Sequence, residues 1–99
     1  LVPVPDILYF LSDSKYVVVR TAAEEHLIED SLVNLEKEFG DRFLRIHRNA
    51  LVARHAIRAL VRHDDPEEGE GRAVRLAGID ELLTVSRRQI TNVREAVGG

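Results

Sequence analysis

The sequence predicts a mainly β fold: small antiparallel sheets stacked in an elongated arrangement, with one packed helix and a short carboxyl-terminal helix or turn. Three observations lead there. Short apolar, β-branched runs recur at close spacing, bounded by Pro, Gly, Asp and Ser. One segment, 32–39, combines helical spacing of apolar residues with a signal at each end. The length, 99 residues, suits one small domain near the lower limit for burying a usable core without disulfides or metal.

Ile7 to Leu11 is an apolar run between Pro5-Asp6 and Ser12-Asp13, and Tyr16 to Thr21 is β-branched and aromatic. Joined across Asp13-Ser14, they predict a β-hairpin with Lys15 at its tip. By itself Lys15 reads equally as a solvated turn lysine or as a contact to phosphate or base. Ala22 to Glu25 reads as a polar turn, and His26 to Glu29 as a short returning strand. Ser31 then suits the N-cap of a helix over Leu32–Phe39, with Leu32, Leu35 and Phe39 on one face and Gly40 as the stop. Glu36 and Glu38 point away from that face. Acids on the outer face would repel an anionic partner, so this helix is expected to pack.

The stretch from Arg42 to Val52 makes two demands at once. Phe43, Ile46, Leu51 and Val52 require a core, whereas Arg42, Arg45, Arg48 and Asn49 require water or an anion. A strand over Phe43–His47 puts Phe43, Arg45 and His47 on one face and Leu44, Ile46 and Arg48 on the other, so simple alternation fails. The sequence therefore predicts a strand buried on both faces that leaves the sheet at His47, with Arg48 and Asn49 on a turn just past the core. A guanidinium and an amide held there suit phosphate oxygens and base edges. The plainer alternative pairs Arg48 with an acid such as Asp41. His47 is expected to pack its ring against the core and bond a backbone carbonyl.

Ala50 to His55 reads as a turn or a single helical turn. Ile57 to Arg62 follows as a strand, with Ile57, Ala59 and Val61 on one side and Arg58 and Arg62 on the other. Residues 64–71 form a loop by composition: Pro, two Gly and five acids. Ala73–Ala77 and Leu82–Val85 read as a second hairpin across Gly78 to Glu81. Ser86 is placed to cap a last short helix, along which Ile90, Val93 and Val97 recur at helical spacing.

The formal net charge of -3 argues against a nucleic-acid binder only if taken as one number. Acid and base are segregated. Residues 24–38 carry six acids against Lys37, whereas residues 41–63 carry six arginines against Asp41 and residues 72–99 carry five arginines against three acids. Screening limits each block's influence to roughly 8–10 Å at physiological salt, so a basic face can bind phosphate on an acidic chain.

Other chemistries fit poorly. With no cysteine, disulfides and thiolate metal sites are excluded, and the composition fits a reducing cytoplasm. His47, His55 and His63 recur every eight residues, which is not the spacing of metal ligands. The acidic loop lacks the alternating pattern of a calcium loop. Ser86 has no nucleophile-elbow motif around it, and no glycine-rich phosphate loop is present. No enzyme, cofactor or metal is therefore expected. The apolar runs are too short to span a bilayer, and no targeting segment is read. A chain that opens on Leu-Val-Pro-Val-Pro and contains no Met is expected to be a piece of a longer protein.

Phe43-x-Arg45-Ile46-His47-Arg48-Asn49-x-Leu51-Val52 resembles the central signature of the LytTR-type DNA-binding domain, the output domain of LytR/AlgR-type bacterial response regulators. Three further stretches match in order: Asp6 to Phe10 followed by Lys15-Tyr16-Val17, Ser31-Leu32 opening a helix that ends at Phe39, and Leu83 to Arg88. Together they run from about Asp6 to Val93. The resemblance implies an elongated β fold and sequence-specific binding of double-stranded DNA, with loops in successive major grooves. Carried over position by position, it implies base reading by Lys15, Arg48 and Arg88. Asn49 and Ser86 match phosphate-holding positions, with Arg45, Arg54 and Arg87 as weaker backbone candidates. It further implies an amino-terminal receiver domain in the full protein and a homodimer on promoter repeats. The rival expectation is a protein-interaction module that docks a partner through the acidic helix and loop.

Overall fold

A computed structural model describes residues 2–64, 66 and 69–98. Asp65, Glu67 and Glu68 of the acidic 64–71 loop, considered above for calcium, lie outside the described residues. Strands β1 (Ile7–Asp13), β2 (Tyr16–Thr21), β3 (Glu25–Ile28), β4 (Phe43–His47) and β5 (Ala50–Ala53) form one antiparallel sheet in the order β3-β2-β1-β5-β4. Strands β6 (Ile57–Arg62), β7 (Arg72–Leu76) and β8 (Leu82–Val85) form a second, in sequence order. Helix α1 (Leu32–Phe39) joins β3 to β4, and α2 (Ile90–Gly98) follows β8. The principal extents are 37 × 29 × 25 Å, a moderately elongated β domain with two short helices.

Helix α1 forms where its end signals predict it. Ser31 Oγ accepts the Asn34 N–H at 3.1 Å. Gly40 ends the helix at φ 56, ψ -129, a conformation that a side chain would strain. The apolar face carrying Leu32, Leu35 and Phe39 then lies on the five-stranded sheet. Phe39 stacks on Phe10 at 5.6 Å, and Phe43 tilts against both at 5.0 and 5.4 Å. Such aromatic pairs contribute about 0.5–1.5 kcal/mol each beyond the area they bury.

The segment Ala50 to His55 differs from the expected turn. Its first four residues are β5, all buried, between β1 and β4, with Phe10 opposite Leu51 and Tyr9 opposite Val52. Only Arg54–Ala56 forms a single 3-10 turn. A strand covered on both faces shows no alternation, and one of its partners lies about forty residues earlier, so the local pattern does not reveal it.

Strand β4 is buried on both faces, as its sequence requires: Phe43, Leu44 and Ile46 are all core residues, and Arg45 and His47 are half-buried. Pairing with β5 slips between Arg45 and His47, leaving Ile46 without a residue opposite it. At this outer edge of the sheet the Ile46 carbonyl accepts the Ser86 N–H at 2.8 Å. One main-chain bond thus joins the edge of the large sheet to the end of β8.

The last helix also begins differently. The Ser86 side chain makes no capping bond; its carbonyl instead accepts the Gln89 N–H at 2.9 Å, closing a 3-10 turn over Arg87–Gln89. Helix α2 starts at Ile90, and Val93 is fully buried with Ile90 and Val97 packed beside it.

Candidate nucleic-acid interface

Two loops meet at the bulge. In the β4–β5 turn, neither Arg48 nor Asn49 adopts a positive φ, so this is not a primed hairpin turn, and tethers from three directions hold its shape. The Asn49 carbonyl accepts the Ser12 N–H at 2.8 Å, fastening the turn to the β1–β2 hairpin. Arg45 Nη1 donates to the Arg48 carbonyl at 2.9 Å while Nη2 donates to Glu36 Oε1 at 3.1 Å. Among the described residues His47 bonds no carbonyl: its Nδ1 instead accepts the Asn49 N–H in a long bond of 3.4 Å. The second loop, Ser86–Arg88, is fixed by its bond to Ile46. Arg48 and Arg88 each stand two residues beyond that bond.

Between these loops lies an open groove of about 1190 Å³, larger than the usual small-molecule pocket. Six arginines line it, Arg45, Arg48, Arg72, Arg87, Arg88 and Arg94, together with His47 and His63. Among the described residues Glu70 is the one acid in the lining, and it pairs with Arg62, which also pairs with Asp64 at 3.4 Å. Arg48, Arg87, Arg88 and Arg94 make no ion pair among the described residues, so the Arg48–Asp41 alternative has no support in the geometry. Planar guanidinium forks converging on one groove suit phosphate oxygens and the O6/N7 edge of guanine.

The structure thus gathers Arg45, Arg48, Ser86, Arg87 and Arg88. Lys15 is exposed on a turn where Ser14 has φ 36, outside the groove but three residues from the Ser12 tether. Asn49 lies beside the groove on the shared turn. Arg54 is not gathered: it follows β5 at the end paired with Phe43, roughly 15 Å along the strands from Arg48. Sequence reasoning did not single out Arg72 or Arg94, and it weighed His63 only as a metal ligand. The basic balance of residues 72–99 was the available signal, and it does not say which arginines share a face.

A second polar cluster lies away from this groove. Glu81, just before β8, accepts Tyr9 Oη and Arg20 Nε, both at 2.9 Å. Hydrogen bonds from Arg20 and Tyr9 hold the Glu81 carboxyl below its usual range. Burial, with the Glu81 bond, pushes the Tyr9 hydroxyl up to about 12. No helix among the described residues is long and apolar enough to cross a membrane.

A family model described as the LytTr DNA-binding domain matches residues 1–98. The chain is 46% identical over 95 residues to the positive alginate biosynthesis regulatory protein of Pseudomonas aeruginosa, covering 95% of this chain and 37% of that protein. It is 32% identical over 89 residues to the CO-responsive transcriptional regulator RcoM of Rhodospirillum rubrum, covering 89% and 36% respectively. The fold matches a solved LytTr DNA-binding domain from Bacillus cereus with a TM-score of 0.78 at 22% identity, over 99% of this chain and 86% of that one. The chain therefore spans little more than a third of the length of these two curated relatives.

Proposed function

Because the chain belongs to the LytTr DNA-binding domain family, we propose that it binds double-stranded DNA sequence-specifically, as the output module of a two-component transcriptional regulator. The observation that carries this reading is the convergence of the β4–β5 turn and the Ser86–Arg88 loop on one arginine-lined groove, joined by the Ser86–Ile46 bond. Arg48 and Arg88 read base edges in the major groove, and Lys15 adds a third contact from the neighbouring hairpin. Asn49, Ser86 and Arg87 hold phosphates. Arg45 acts from behind the turn, since its guanidinium is engaged by Glu36 and the Arg48 carbonyl.

In this reading the domain follows an amino-terminal receiver domain in a cytoplasmic protein that binds promoter repeats as a homodimer; the two curated relatives, both named as regulators, are longer than this chain. The rival reading, docking of a protein through the acidic helix and loop, is weakened on the helix, where Glu36 is already committed to Arg45. Enrichment of duplexes from a random pool, followed by a salt titration of the selected site, tests the proposal. Affinity should fall steeply with log[salt], at about 0.9 units per phosphate neutralised. No enrichment, or affinity indifferent to salt, would refute it.

A further inference from the structure

We propose that Arg72 on β7 and Arg94 on α2 form a phosphate cradle in this groove, gripping the DNA backbone between the loops that carry Arg48 and Arg88. The inference rests on the DNA-binding reading and deepens it. Arg72 and Arg94 line the same groove as the loop arginines but come from regular elements, a strand and a helix.

Rigid mounting suits backbone contacts, because phosphate bonds set the register in which base-reading side chains act while carrying no sequence information themselves. On α2 the neighbouring Val93 is fully buried, which fixes the helix against the core and leaves Arg94 exposed beside the groove. Arg72 Nη1 donates to the Gly71 carbonyl at 3.1 Å, an anchor that uses one of the guanidinium's five N–H donors. Arg45, the other groove arginine from a regular element, is held by Glu36. Glu70, the one carboxylate among the described lining residues, is paired with Arg62. Arg75, three residues along the same strand, is exposed and outside the groove lining, which provides an internal control.

The test compares Arg94→Ala, Arg72→Ala and Arg75→Ala with the wild-type chain. The probes are a 30-bp duplex enriched by the wild-type chain from a random pool and an unenriched random 30-bp duplex. Each groove variant should weaken both duplexes by a similar factor and lower the salt slope by about one unit. Arg75→Ala should leave the slope unchanged. Arg94→Lys keeps the charge and should restore most of the slope, and melting curves establish that each variant is folded. A folded Arg94→Ala chain with the wild-type slope, or one weakened only on the enriched duplex, overturns the cradle while leaving the DNA-binding reading intact. Failure of the wild-type chain to bind either duplex refutes that reading, and the cradle with it.

Discussion

The small sheet is fastened to the large one in two unlike ways. At the Ile46–Ser86 seam the link is a main-chain hydrogen bond beside a fully buried Ile46. At the Tyr9–Arg20–Glu81 seam the link is made by side chains around one carboxylate. Arg20 there is engaged by Glu81 and by the Thr21 carbonyl, whereas Arg48 and Arg88 at the other seam have no acid partner among the described residues. The contrast shows how one residue type serves two ends. Where a carboxylate is in reach, arginine joins elements; where main-chain bonds do the joining, arginine stays available for an outside anion.

The largest expected effect breaks the main-chain seam. Ile46→Ala removes a fully buried side chain beside the bond that aligns the two loops, and should lower stability by about 2–5 kcal/mol in denaturant titration. A loss below about 1 kcal/mol would show that the bulge does not depend on that packing.

Next in size is the effect on recognition. Arg48→Ala and Arg88→Ala should each lose about 1–3 kcal/mol on an enriched duplex and much less on random DNA, with melting temperature nearly unchanged. Asn49→Ala, by contrast, should weaken both duplexes together. If Arg48→Ala keeps the wild-type ratio of affinities, base reading occurs elsewhere.

The charged seam should respond more weakly, and in a pH-dependent manner. Glu81 is held in its ionised form by Arg20 and Tyr9, so its folded pKa lies below the unfolded value near 4.5. Its contribution is therefore present above pH 4.5 and disappears as pH falls through the folded pKa. Glu81→Gln should lower the melting temperature by a few degrees at pH 7, and the gap from wild type should close in acid. A gap that persists at pH 2 would assign the effect to packing instead. The Tyr9 hydroxyl, raised to about 12 from 10.0, works in the opposite sense: its contribution is complete below pH 10 and is lost as pH rises towards 12.

Smallest of all is the effect of Arg54→Ala, which sharpens the comparison by testing an arginine away from both seams. Its position at the far end of β5 predicts unchanged affinity for either duplex and an unchanged salt slope. A slope reduced by about one unit would extend the DNA-binding face along the whole strand.

Much of this architecture was legible locally. The ends of α1 follow from Ser31 and Gly40, the limits of β2 and β8 from β-branched residues and their flanks, and those of β4 from its apolar residues and the Arg48–Asn49 turn, because caps, turns and periodicity act over a few residues. The central motif likewise located the Arg48–Asn49 turn. Local pattern did not show that Ala50–Ala53 is a strand near the middle of the sheet, since its side chains are buried on both faces and its register is set by β1. Nor did it show that Arg45 serves the turn from behind, that Arg54 faces a different end, or that Arg72 and Arg94 join the groove. Those outcomes depend on which residues forty positions apart are brought together. The β1–β5 pairing and the Ile46–Ser86 bond help to bring them together, and such bonds between main-chain atoms leave no mark in residue type.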